Sequence, residues 1–150
     1  MKSITRKIID ELLESQNTSK DAVSLTKMKV CSEYHANHVP SNAELIKNLE
    51  QEERAKLIPL LRRKDVRSLS GVCVVAVMTE PYPCPKDEPC VYCPGGPKQG
   101  VPQSYTGKEP ACLRGVQHEY DPYAQVKSRI EQLRAIGHDV DKIDLIIMGG

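Results

Sequence analysis

The stretch GVCVVAVMTEPYPCPKDEPCVYCPGG, residues 71–96, decides how this chain is read. Its first part, residues 72–78, is an almost continuous apolar run rich in valine, bounded by Gly71 and by the turn-forming residues 79–81. A run this short with such boundaries predicts a fully buried strand of a parallel sheet. Directly after it come Cys84, Cys90 and Cys93, spaced C-x5-C-x2-C, and then Gly95 and Gly96. Three clustered thiolates can hold three corners of a [4Fe-4S] cube and leave the fourth iron open to a ligand. That open corner separates an enzyme from an electron carrier.

Downstream, a loop dense in proline and glycine runs over residues 80–110. Connections of that length are far above the usual four to six residues and are mostly functional. Pro122 then opens a predicted helix reaching about residue 136, with Val126, Ile130 and Leu133 on one face and Gly137 as its stop signal. A second buried strand is expected over residues 143–148, ending in Gly149 and Gly150. Strand, loop, helix and strand make one βαβ unit, whose crossover is expected to be right-handed. A lone unit leaves sheet edges and helix faces uncovered, which predicts a piece of a larger α/β protein.

Upstream the pattern is helical. Ile4, Ile8, Ile9, Leu12 and Leu13 line one face of a short amphipathic helix. A second helix is expected over residues 20–34, with Val23, Met28 and Cys31 among its apolar positions. Ser41 and Glu44 form a capping-box signature that starts a third near Asn42. Leu57, Ile58, Leu60 and Leu61 mark either a further helix or a continuation, and Pro59 argues for a break. The expected organisation is a helical region over 1–66 and the start of an α/β region over 67–150.

The 150 residues suffice for one ordinary domain. There is no Phe or Trp, so the core must lean on Leu, Ile and Val. Charges scattered through the opening segment leave it without the unbroken apolar run of a signal peptide, and no stretch approaches the roughly 18 apolar residues of a membrane span. The chain reads as cytoplasmic, with no membrane association. Six cysteines admit a disulfide scaffold, but three stand alone and three crowd one loop, which fits a metal or cluster site better. Net charge is only +1, yet Arg54, Lys56, Arg62, Arg63, Lys64 and Arg67 gather against a single acid, Asp65. Such a patch suits nucleic-acid phosphates, and a solvated helix end gives the same letters.

Zinc is the competing occupant of the cysteine loop, with Cys112 or His118 completing four ligands. Two features favour iron and sulfur: the C-x5-C arc is wider than the paired knuckles of zinc ribbons, and the loop leaves the end of a buried parallel strand, where α/β folds place their active sites. Spacing alone excludes neither Cys112 nor Cys73 as a fourth thiolate. Tyr92 suits packing on a cluster, covering a purine, or ordinary packing. Lys142 is bottom-up only a cation before a strand. Gly149 and Gly150 leave backbone groups open to a ligand, or simply make a turn.

The segments GVCVVAVMTEPYPCPKDEPCVYCPGGP, PQSYTGKEP, YDPYAQVKSRIEQLRAIGHDVDK and IIMGG resemble the radical S-adenosylmethionine superfamily, and closely resemble the family of the Elongator catalytic subunit and its archaeal single-protein relatives. The likeness covers about residues 66–150. It implies the start of a partial TIM-type barrel, with a [4Fe-4S] cluster on Cys84, Cys90 and Cys93 and S-adenosylmethionine on the open iron. It also implies that Tyr92 lies beside the adenine, that Gly149 with Gly150 meets the amino group, and that Lys142 helps bind acetyl-CoA. The reaction implied is a tRNA-modifying acyl transfer. A 5′-deoxyadenosyl radical makes an acetyl radical from acetyl-CoA, which adds to C5 of the wobble uridine to give 5-carboxymethyluridine. The basic residues of the first seventy positions match the region that contacts tRNA. Elongator-type partner subunits or self-association are further implications, and the rest of the barrel and an acetyltransferase-like domain are expected outside these residues. The 150 residues alone are therefore expected to be inactive. Two other readings are another radical enzyme using the same cofactor and a zinc-dependent RNA-binding module.

Overall fold

Short polar side chains start the N-terminal helices by serving backbone donors that lack an intrahelical partner. In the computed structural model, which describes residues 3–15, 19–86, 88 and 90–149, α1 (Ile4–Glu14) begins at Ser3, whose Oγ accepts from the Arg6 amide at 3.2 Å. Ser19 does the same for α2 (Lys20–Glu33) through the Ala22 amide. The capping box is complete at α3 (Asn42–Lys47): Glu44 N–H donates to Ser41 Oγ at 3.2 Å, and Ser41 N–H donates to Glu44 Oε2 at 2.6 Å. Helix α4 (Gln51–Leu61) runs unbroken through Pro59. The proline sits in the last turn, where it forfeits one bond, and Leu57 and Leu61 beside it are buried.

The chain forms two compact units. The first comprises Met1–Gly71 with Gln132–Asp139, and the second Val72–Glu131 with Val140–Gly150. The first unit is closed by Ile8, Ile9, Leu12, Val23, Leu45, Ile46, Leu57 and Leu61 among others, drawn from all four helices. Each such side chain contributes about 1.5–3 kcal/mol relative to exposure. Arg6 bridges its own helix to α4, with Nε donating to Asp10 at 2.7 Å and Nη1 to Glu53 at 3.1 Å. The Arg6 guanidinium in turn holds the Glu53 carboxyl below its ordinary range.

In the same unit, residues 136–138 fasten the basic segment after α4. The Arg63 amide donates to the Ile136 carbonyl at 3.3 Å, and Arg62 Nε donates to the Gly137 carbonyl at 2.8 Å. His138 is buried, with Nε2 2.9 Å from the Arg63 carbonyl and Nδ1 2.7 Å from Ser68 Oγ. A carbonyl only accepts, so the proton of the neutral ring is on Nε2 and the Ser68 hydroxyl donates to Nδ1.

The second unit is built on a parallel pair, β1 (Cys73–Met78) and β2 (Ile143–Met148), in register from Cys73 opposite Ile143 to Met78 opposite Met148. The Cys73 amide donates to the Lys142 carbonyl and the Thr79 amide to the Met148 carbonyl, so odd-numbered residues of β1 face β2. Even-numbered backbone groups face the other edge, and side chains close it. Arg114 Nη2 donates to the Ala76 carbonyl at 2.6 Å. The fully buried amide of Gln125 takes the Met78 N–H and gives its own to the Met78 C=O, both at 2.9 Å. Those two residues lie on α5 (Pro110–Gln117) and α6 (Pro122–Ala135), the helices between the strands.

Three expectations need correction. Strand β2 is not buried: Leu145, Ile146 and Ile147 are 50%, 43% and 71% exposed, because among the described residues β1 is the only strand beside it. Helix α5 interrupts what read as connecting chain; it starts at Pro110 behind Glu109, whose carboxylate accepts from the Thr106 amide and hydroxyl. The expectation of a fully buried first strand also fails at Val74, which is 48% exposed. The long loop is anchored, since Val101 and Pro102 are buried and the Tyr120 hydroxyl donates to the Gly100 carbonyl.

Candidate metal centre

The cysteine loop leaves the C-terminal end of β1 through Thr79. Cys84, Cys90 and Cys93 are all free thiols of intermediate exposure, whereas Cys31, Cys73 and Cys112 are free and buried. The Cys93 amide donates to the Cys90 carbonyl at 2.8 Å, which sets these two residues in one tight turn. Lys86 Nζ lies 3.4 Å from Cys90 Sγ.

Cys93 has the most developed surroundings. Its sulfur lies 3.1 Å from the Gly95 carbonyl, receives a hydrogen bond from Gln103 Nε2 at 2.9 Å, and stands 3.9 Å from Ser104 Oγ. The backbone of Gly95 above all, with Ser104 and Gln103 adding to it, holds the Cys93 thiol below its ordinary range. The thiolate is the form that binds iron or zinc, and a donor such as Gln103 Nε2 favours it.

Among the described residues no three Cys, His, Asp or Glu side chains stand close enough to hold a metal ion. The three thiols are brought to one loop and not to one point. The donor chemistry nevertheless fits an iron–sulfur group: soft, unoxidised, partly exposed thiols on a single loop. Cys73 and Cys112 are enclosed in β1 and α5, and burial, followed by Glu109, pushes the Cys112 thiol up. His118 ends α5 with a buried Nε2 that lacks a hydrogen-bond partner.

The Tyr92 ring is exposed, and its phenol is pushed up by hydrogen bonding to Cys90. Lys142 is exposed just before β2. Gly149 follows β2 with φ +103°, and a Cβ there would stand 2.3 Å from Thr79 Oγ1. Only glycine lets the backbone pass so close to the residue at which the cysteine loop departs. Gly150 lies outside the described residues. Gln103, Ser104 and Gln125 were not singled out by sequence; amides and hydroxyls have no ligand spacing that would mark them.

Residues 1–69 match the family model of the ELP3 N-terminal domain. Over its full length the chain is 47% identical to the tRNA uridine(34) acetyltransferase of Methanocaldococcus infernus and 46% identical to that of Methanocaldococcus jannaschii, covering 29% and 28% of those proteins. Over 95% of its length it is 40% identical to human Elongator complex protein 3, covering 28% of it. The chain thus spans less than a third of the length of these relatives. Among the described residues no helix is long and apolar enough to cross a membrane. The match at the start of the chain and the identity along the rest of it agree in what they resemble, which is the Elongator complex protein 3 family.

Proposed function

We propose that this chain is the cofactor-loading part of a cytoplasmic enzyme that converts the wobble uridine of tRNA to 5-carboxymethyluridine, using acetyl-CoA and S-adenosylmethionine. The observation that carries the reading is the triad of free thiols on the loop leaving β1, in a chain nearly half identical to proteins named tRNA uridine(34) acetyltransferase. Cys84, Cys90 and Cys93 hold a [4Fe-4S] cluster by their sulfurs. When bound, the cluster supplies the electron for reductive cleavage of S-adenosylmethionine, the source of the radical that activates acetyl-CoA.

The remaining assignments concern the chain's own groups. Tyr92 covers the adenine side, and the backbone of Gly149 and Gly150 receives the amino group of S-adenosylmethionine. The exposed position of Lys142 supports a contact with the acetyl-CoA phosphates. The helical region over 1–66 presents its basic residues to tRNA. The barrel begun by β1 and β2 continues outside these residues, and the exposed apolar side chains of β2 support that reading.

Full-length protein, reconstituted anaerobically and supplied with S-adenosylmethionine, acetyl-CoA, a reductant and tRNA, is the test. Digestion of the tRNA and mass spectrometry of its nucleosides is expected to yield 5-carboxymethyluridine. Cleavage of S-adenosylmethionine with unmodified uridine would favour a different radical reaction. A bound zinc ion with no capacity for a four-iron cluster would defeat the proposal and favour an RNA-binding module.

A further inference from the structure

The loop after Cys93 folds back onto its sulfur. The Ser104 amide donates to the Gly95 carbonyl at 3.1 Å, the Gly96 amide donates to Gln99 Oε1 at 2.9 Å, and the Gln99 amide returns to the Gly96 carbonyl at 2.9 Å. This closure brings Gln103 over Gly96, with Nε2 2.9 Å from Cys93 Sγ. Gly95 makes room for the backbone of the fold-back, and Gly96 makes room for the Gln103 side chain. A Cβ on Gly96 would stand 2.4 Å from Gln103 Oε1, and one on Gly95 would stand 2.6 Å from the Tyr105 carbonyl oxygen. Ser104 carries φ +68°, a left-handed backbone that a non-glycine residue seldom adopts, and it places its hydroxyl on the same sulfur.

We infer that Gln103 is a positioning residue that raises the reduction potential of the cluster by donating a hydrogen bond to the Cys93 sulfur. The inference rests on the cluster reading above. The orientation of the amide follows from charge: a sulfur bound to iron is electron-rich, so it repels the amide oxygen and attracts the NH2 end. Gaining one electron adds negative charge to the cluster and its sulfurs. A donor aimed at such a sulfur therefore stabilises the reduced state more than the oxidised one.

The test is an anaerobic potentiometric titration with dithionite, followed by electron paramagnetic resonance, on the reconstituted full-length protein and on its Gln103→Leu and Gln103→Glu variants. Leucine removes the donor, and glutamate replaces it with an acceptor of the same shape. The leucine variant is expected to shift the one-electron equilibrium toward the oxidised state roughly tenfold, which is about 59 mV for a one-electron couple. The glutamate variant is expected to shift it further in the same direction. Iron and sulfide counts made beforehand keep the two claims apart. Wild-type protein that loads no cluster overturns the functional reading. Variants that load like wild type with unchanged potentials overturn the role of Gln103 alone. Variants that cannot load while wild type does also overturn tuning, since Gln103 is then a structural residue of the loop.

Discussion

Replacing Gln125 with leucine removes both bonds that close the free edge of β1 at Met78. The side chain is fully buried, and leucine is close to it in volume, so the space stays filled while the Met78 N–H and C=O lose their partners. A buried backbone group left without a partner costs about 1–3 kcal/mol, so two such groups predict a loss of about 2–6 kcal/mol in the second unit. Amide hydrogen exchange read by nuclear magnetic resonance reports the change residue by residue. The Met78 amide is expected to exchange at least about 30-fold faster in the variant, at 1.4 kcal/mol per factor of ten. The Val75 amide, which faces β2, slows or speeds only with the stability of the whole unit. Met78 protection equal to wild type, with an unchanged denaturation midpoint, would show that Gln125 does not close this edge. The edge would then be served by something other than Gln125.

Three further outcomes follow from the electrostatics and the backbone. The Glu109 carboxyl is held down to about 2 by the backbone of Thr106 and its own amide. Its contribution is present above the ordinary carboxylate range and is lost as pH falls from about 4.5 toward 2; acid unfolding of a Glu109→Gln variant should lose that dependence. Burial, opposed by Arg63 and Asp65 and reinforced by Arg62 and Arg67, pushes the His138 imidazole below its ordinary value. Stability from His138 is therefore complete above about pH 6.5 and declines as the solution is acidified, and His138→Gln should flatten thermal midpoints measured between pH 7 and 5.5. Gly149→Ala puts a Cβ against Thr79 Oγ1 at φ +103° and is expected to destabilise the second unit by more than about 1 kcal/mol in denaturant titrations.

Much of the chain's local structure is legible because its signals are chemical. Ser41 and Glu44 announce α3 through two hydrogen bonds that form as their spacing implies. The bounds of β2 are set by its flanking turn residues and agree with expectation. Its burial did not follow, because an apolar run records what a strand is built to pack against and not whether that packing is present. Helix α5 was hidden by Pro110, which reads as a turn residue although it suits the first position of a helix, and by Gly115. Gly115 is there because the Tyr120 ring packs against it; a Cβ would lie 2.9 Å from that ring. At the candidate site, the cysteine spacing is visible at once because metal ligation fixes residue type and interval. Gln103 acts through a fold-back of the loop that no interval records.

The most direct measurement is anaerobic reconstitution of the full-length protein with iron and sulfide, followed by iron counting and Mössbauer spectroscopy. A four-iron cluster is expected that persists when Cys73 or Cys112 is changed to alanine and is lost when Cys84, Cys90 or Cys93 is changed to alanine. A four-coordinate zinc site that includes Cys112 or His118, or a cluster that survives loss of Cys93, would contradict it.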